Sequence, residues 1–194
     1  MFDSIFADGS LREYIDDNLK DPWKDINFEG YVSMSPKQKG ELGERFVSKL
    51  MTLAGHDVKR AKTSTAGHDR VIDNILTEIK FALATRDKKG GVIKDKFIIN
   101  HVSVCKDWER LIFCGINPSE SDIRVFYITK EDFVEHLKSD DCLFNTQQGG
   151  QNGGNDDYIC TNVAALMQTA IARPINQWNY ATLQSGTKTL GIAA

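Results

Sequence analysis

The segment GHDRVIDNILTEIKFA, residues 67–82, limits what this chain can fold into more than any other stretch. Two short runs rich in β-branched and apolar residues, DRVI and ILTEIKF, flank Asp73 and Asn74, a pair that tolerates the positive φ of a tight turn. A hairpin turning there pairs Ile72 with Ile75, Val71 with Leu76, Arg70 with Thr77, and Asp69 with Glu78. Two carboxylates then face each other with Cβ atoms roughly 5 Å apart, where like charges are destabilising unless a cation lies between them. Side chains alternate along a strand, so Lys80 joins Glu78 on one face and the three groups converge. Isoleucines, valine and leucine fill both faces around these charges, so the hairpin reads as interior to a sheet, where unpartnered carboxylates are costly. Asp73, five residues before Glu78, reads as a turn residue.

Such a cluster suits hydrolysis at phosphorus. Carboxylates are hard ligands for Mg²⁺, which binds through one or two of them and keeps positions for water and phosphate oxygens; Mn²⁺ is an expected substitute. Lys80 has two available roles: to orient or deprotonate the attacking water, or to stay cationic and stabilise charge developing on the phosphate.

The arrangement resembles the PD-(D/E)xK nuclease superfamily, and within it the type II restriction endonucleases. The matching residues are Asp69, Glu78, Ile79 and Lys80. QKGELGERFVSKLMTLAG looks like the helix that leads into that family's core, and KFIINHVSVCKDWERLIFCGINP is similar to its next helix and strand, so the resemblance covers roughly residues 36–138. It implies an α/β fold, a central mixed β-sheet flanked by helices, with Asp69, Glu78 and Ile79 as metal ligands, Lys80 as the water-activating or charge-stabilising group, and Glu44 as an additional acid near the metal. Asn100 and His101 resemble positions that contact phosphate or bases, the plainer reading of His101 being a hydrogen-bonded structural histidine. His68 stands where the family has proline. The implied activity is Mg²⁺-dependent, sequence-specific cleavage of double-stranded DNA, with a homodimer reading a two-fold symmetric site. A repair or junction-resolving nuclease with the same site is the nearest alternative, and a non-catalytic DNA-binding module on the same fold is the alternative from another class.

Composition fits this reading. A chain of 194 residues, 41% hydrophobic and 26% charged, can bury one sizeable core, and one nuclease domain is expected, with 139–194 as a C-terminal extension. No run approaches a membrane span and the N-terminus lacks the pattern of a signal peptide, so a cytoplasmic, membrane-free protein is expected. Cys105, Cys114, Cys142 and Cys160 are too scattered for a zinc site or disulfide framework. A net charge of −3 is unhelpful for holding DNA, yet residues 59–96 carry 10 Lys and Arg against 5 Asp and Glu, which concentrates the basic excess around the hairpin.

The remaining segments read as an alternation of helices and strands. Ser10 opens a short capping-box helix that Asp21-Pro22 ends, and Ser35-Pro36-Lys37-Gln38 opens a longer one with an apolar stripe of Leu42, Phe46, Leu50 and Leu53, ended by Gly55. HDVKRAK, RLIFCGIN and RVFYIT read as strands; 97–107 is strand by its residues and helix by the resemblance. Thr129 starts a helix carrying Phe133, Val134 and Leu137, and a final helix is expected at about 161–172. Residues 144–158 form a glycine-rich loop whose Gln147, Gln148, Gln151 and Asn152 are candidates for contacts to adenine edges, the plainer reading being a connection. Thr63 to His68 could place hydroxyls and N–H groups on a phosphate or equally be an ordinary loop, and the tail from Arg173 could add a strand or a subunit contact or be partly disordered.

Overall fold

The computed structural model describes residues 7–63, 66–87, 91–147 and 156–178. It is a mixed α/β fold in which one strand is buried on both faces. The run RLIFCGIN forms β5 (Arg110–Asn117), all eight residues of which are buried, as an unbroken apolar run at the centre of a sheet requires. Around it lies a six-stranded sheet in the order β1-β2-β3-β5-β6-β9. The other members are β1 (Val58–Arg60), β2 (Arg70–Ile72), β3 (Ile75–Leu83), β6 (Asp122–Thr129) and β9 (Arg173–Pro174). Among the described residues only β3 and β5 run parallel; the other pairings are antiparallel, so the sheet is mixed.

The hairpin turns where the sequence places it. Asp73 and Asn74 have φ of 52° and 67°, the two positive values of a turn whose twist matches that of its strands, and the ladder pairs Ile72 with Ile75, Val71 with Leu76 and Arg70 with Thr77. Asp73 does more than shape the turn. Its carboxylate accepts from the Asp57 N–H at 2.9 Å and the Trp178 indole at 3.1 Å, and it meets His56 Nδ1 at 2.7 Å.

One face of the sheet is covered by the long helix, α2 (Pro36–Leu53), which begins with the expected Ser35 and Gln38 capping box and is followed by Gly55 at φ 91°. Its buried positions are Gly43, Val47 and Met51, one residue further round than the expected stripe; Leu53 is 76% exposed. The reason lies at Gly43, where an added Cβ would stand 2.3 Å from Phe81 Cβ: the missing side chain lets the helix sit directly on β3. The short helix α1 (Ser10–Leu19) forms as expected, but its N-cap is Gly9 without a side-chain cap, because Asp8 takes both the N–H and the hydroxyl of Ser10.

The opposite face packs on α3 (Lys130–His136), capped by Thr129, on the short helix α4 (Val163–Leu166), and on a second sheet of order β4-β8-β7. Its strands are β4 (Ile99–Ser103), β7 (Asn145–Thr146) and β8 (Asp157–Cys160). β4 corrects the helix that the resemblance implied for this segment. Ile99 and Val102 are fully buried, Asn100 and His101 between them are exposed, and the register with β8 shifts at that point. The helix expected at 161–172 is the single turn of α4. The tail adds β9 on β6 and buries Trp178 against Tyr127 and the Arg110 guanidinium. No helix among the described residues is long and apolar enough to cross a membrane.

Candidate active site

Ile79, Phe81 and Leu83 of β3 pack toward α2, and strand alternation sends Glu78, Lys80 and Ala82 to the other face. Glu78 is 3% exposed, and its burial is offset by two cations. Lys80 Nζ lies 2.8 Å from Glu78 Oε1, and Lys106 Nζ lies 3.2 Å from the same oxygen. Lys80 was legible from its spacing. Lys106 was not: it arrives from the loop between β4 and β5, and no local pattern announces a contact 28 residues away. The loop is well held, since Lys130 donates to the Lys106 carbonyl and the Trp108 indole to the Ser103 carbonyl.

Asp69 does not pair with Glu78 in the ladder, which ends at Arg70 and Thr77. Instead its N–H donates to the Thr77 carbonyl at 3.0 Å and its Oδ2 accepts from the Ile79 N–H at 2.7 Å, so backbone bonds to the residues on either side of Glu78 fix the carboxylate. Burial, reinforced by the charge of Glu78, pushes the Asp69 carboxyl up to about 6, although the Ile79 N–H pulls the other way; Glu44 raises it further and Lys80 opposes. The apolar side chain of Ile79 leaves only its backbone to serve a cation.

Glu44 lies near Asp69 but is already engaged. Its Oε2 bonds the buried Arg70 guanidinium at 2.8 Å, and Arg70 also donates to Ser48 Oγ and to the Asp69 carbonyl. Arg70, a second residue that the sequence did not single out, thus ties α2 to the Asp69 backbone. Glu44 and Asp69 border a common cavity of about 460 Å³ between α2 and the segment following β1.

His68 occupies the place of the family's proline. Its Nδ1 meets Asp107 Oδ1 at 3.1 Å, and Gly67 lies so close to Asp107 that a Cβ there would come within 2.6 Å of the Asp107 nitrogen. The loop that carries Asp69 is therefore clamped to the loop that carries Lys106.

Among the described residues no group of three or more acidic, histidine or cysteine side chains is arranged to hold a metal ion. What the fold provides is a pair of carboxylates. Each has one oxygen engaged, Asp69 Oδ2 by Ile79 and Glu78 Oε1 by the lysines, and the second oxygen of each has no hydrogen-bond partner among the described residues. Two carboxylates with spare oxygens suit a cation that takes one or two protein ligands and completes its shell with water and phosphate, as Mg²⁺ does.

The candidate base-reading residues lie on the second sheet. Asn100 and His101 are exposed; His101, at φ 54°, places Nδ1 2.8 Å from Asp157 Oδ2, which is the hydrogen-bonded role open to such a histidine. Gln147 is tied to the same place, its N–H donating to the Asp157 carbonyl and its Oε1 accepting from the His101 N–H. Gln148, Gln151 and Asn152 lie outside the described residues.

No protein-family model and no curated protein sequence matches the chain. A bacterial homing endonuclease of known structure is similar over 81% of this chain and 99% of its own, with a TM-score of 0.44 and 10% identity. So distant a likeness assigns no residue a role.

Proposed function

We propose that this chain is a Mg²⁺-dependent endonuclease that hydrolyses phosphodiester bonds of double-stranded DNA, with a specificity of the type II restriction kind. The observation that carries the reading is the buried Glu78 carboxylate held by two lysines beside the Asp69 carboxyl raised to about 6. A fold holds a buried carboxylate beside a second, partly buried one at a cost, and groups perturbed in this way concentrate at sites of chemistry. Asp69 and Glu78, with the Ile79 backbone, would hold the cation, and Glu44 through Arg70 would steady Asp69. Mg²⁺ bound there would supply a Lewis acid for a phosphate oxygen and acidify a coordinated water.

The side chains do the rest. Lys80, held as a cation at 2.8 Å from Glu78, orients the attacking water and stabilises negative charge beside it. Lys106, whose side chain is 41% exposed, reaches out from Glu78 toward solvent and can follow the charge that develops on the phosphate. The Gly67 and His68 clamp on Asp107 keeps the loops of Asp69 and Lys106 together, so the acid and the second cation meet the same phosphate.

Digestion of linear phage DNA tests the proposal. A restriction-type enzyme yields a small set of discrete fragments with Mg²⁺ and none with EDTA. Intact linear duplex alongside cut four-way junctions would replace the reading by a junction nuclease, and a smear by a nonspecific one. Intact substrates of every form would remove the nuclease reading altogether.

A further inference from the structure

The cavity bordered by Asp69 adjoins a second of about 300 Å³, and the two share Arg60 and Arg70 as walls. Together they make one furrow along α2, from Lys37 near its start to Thr52 near its end. That is 15 residues, or about 22 Å at about 1.5 Å per residue. The far wall is β1, an edge strand of the sheet, and the segment after it. Among the described residues seven Lys and Arg side chains line the furrow against three carboxylates. Three of these cations are paired: Arg45 with Glu41, Arg70 with Glu44, and Lys59 with Asp57. Lys37, Lys49, Arg60 and Lys62 have no ion-pair partner among the described residues. Four exposed like charges without a direct ion pair, spaced along a furrow that leads to Asp69 and outnumbering its carboxylates, are the footprint of a polyanion.

We infer that this furrow seats the phosphodiester backbone of one strand of a nucleic-acid duplex and leads it to Asp69, an inference that rests on the nuclease reading of that site. A length of about 22 Å matches six or seven nucleotides of one strand at about 3.4 Å each. Among the described residues cations dominate the lining and no Asn or Gln contributes to it, so the furrow holds phosphates and does not read bases. Sequence discrimination must then reside on another surface. The net charge of −3 ceases to be an objection, because the positive charge is concentrated where a phosphate chain would run.

The test is duplex binding in EDTA, read by fluorescence anisotropy across a range of salt, so that it does not depend on cleavage. Each lost phosphate contact lowers the slope of log K against log salt by about 0.9. The variant carrying Lys49→Ala, Arg60→Ala and Lys62→Ala is expected to lose about 2–3 from the slope, equally for unrelated sequences. Lys94→Ala with Lys138→Ala, two cations paired elsewhere with Glu120 and Glu135, is expected to lose nothing. Single substitutions, each lowering the slope by about 0.9, serve if the triple variant does not fold. An unchanged slope in the furrow variants overturns the inference, as does poly-glutamate competing as well as duplex at equal charge. Wild-type protein that binds through the furrow but never cleaves with Mg²⁺ would leave the furrow standing and sink the nuclease reading. Furrow variants that bind and cleave normally would do the reverse.

Discussion

Glu78 Oε1 receives both Lys80 and Lys106, and this shared oxygen sets the chemistry at the scale of single residues. Lys80 sits two positions from Glu78 on a strand, so its convergence was readable from alternation alone. Lys106 and Arg70 were hidden, the first because loops bring residues together without periodicity, the second because its value lies in contacts to Glu44 and Ser48 on another element. Removing either lysine has separate expected results. Lys80→Met lowers turnover by about a thousandfold or more, whereas Lys106→Met lowers kcat by about a hundredfold with KM little changed, the lower end of the range for losing one donor to a developing charge because Lys106 is 41% exposed. Equal kcat for Lys106→Met and wild type would assign Lys106 to structure alone. Asp69 provides a pH signature. Its folded-state value of about 6 lies above the ordinary 3.8, so between those values the folded protein holds a proton that the unfolded chain has released. Its contribution therefore falls as pH rises through about 4 to 6 and stays low above. Asp69→Asn removes that penalty: in EDTA the variant should be more stable than wild type at pH 7, by at most about 2–3 kcal/mol, and nearly equal to it at pH 4. Denaturant unfolding at the two pH values measures the difference, and a gap that does not change with pH would show that Asp69 titrates normally.

At the scale of elements, the hairpin and α2 were the most legible parts because their signals are local. Asp73-Asn74 fixed the turn, and the Ser35 and Gln38 capping box fixed the helix start. Local signals failed where tertiary contacts decided. Leu42, Phe46, Leu50 and Leu53 gave a good stripe, yet the helix turned Gly43, Val47 and Met51 inward because Phe81 of β3 needs the space above a glycine. The resemblance put a helix at β4, but Ile99 and Val102 find their partners in Cys160 and Tyr158 of β8, 61 and 56 residues on, where short-range reading does not reach. Gly43 carries the prediction at this scale. Gly43→Val should destabilise the fold by about 1–3 kcal/mol through overpacking against Phe81, and combining it with Phe81→Ala should recover part of that loss. Additive losses in a double-mutant cycle of denaturant unfolding would mean that the two residues do not compete for one space.

For the molecule as a whole, β5 buried on both faces predisposes the sheet to place β3 in its interior, and that burial makes Glu78 costly enough to require Lys80 and Lys106. The fold class followed from strand and helix signals in the sequence. The second sheet did not, because β7 is two residues long and β8 four, too short for alternation to register. The basic excess of residues 59–96 was visible as a count, but only the packing of β1 beside α2 turns part of it into a furrow. These levels meet in one claim, that Asp69, Glu78 and Lys80 form a metal-dependent phosphodiesterase site. The most direct test is the single-turnover rate of duplex cleavage against Mg²⁺ concentration for the wild type, Asp69→Asn and Lys80→Met. The expected result is a saturable Mg²⁺ dependence in the wild type and a loss of about a thousandfold or more in both variants, with the melting temperature of Asp69→Asn not lowered and that of Lys80→Met lowered by the loss of one partner of buried Glu78, both variants remaining folded at the assay temperature. Cleavage independent of Mg²⁺, or a normal rate in either variant, would contradict the account.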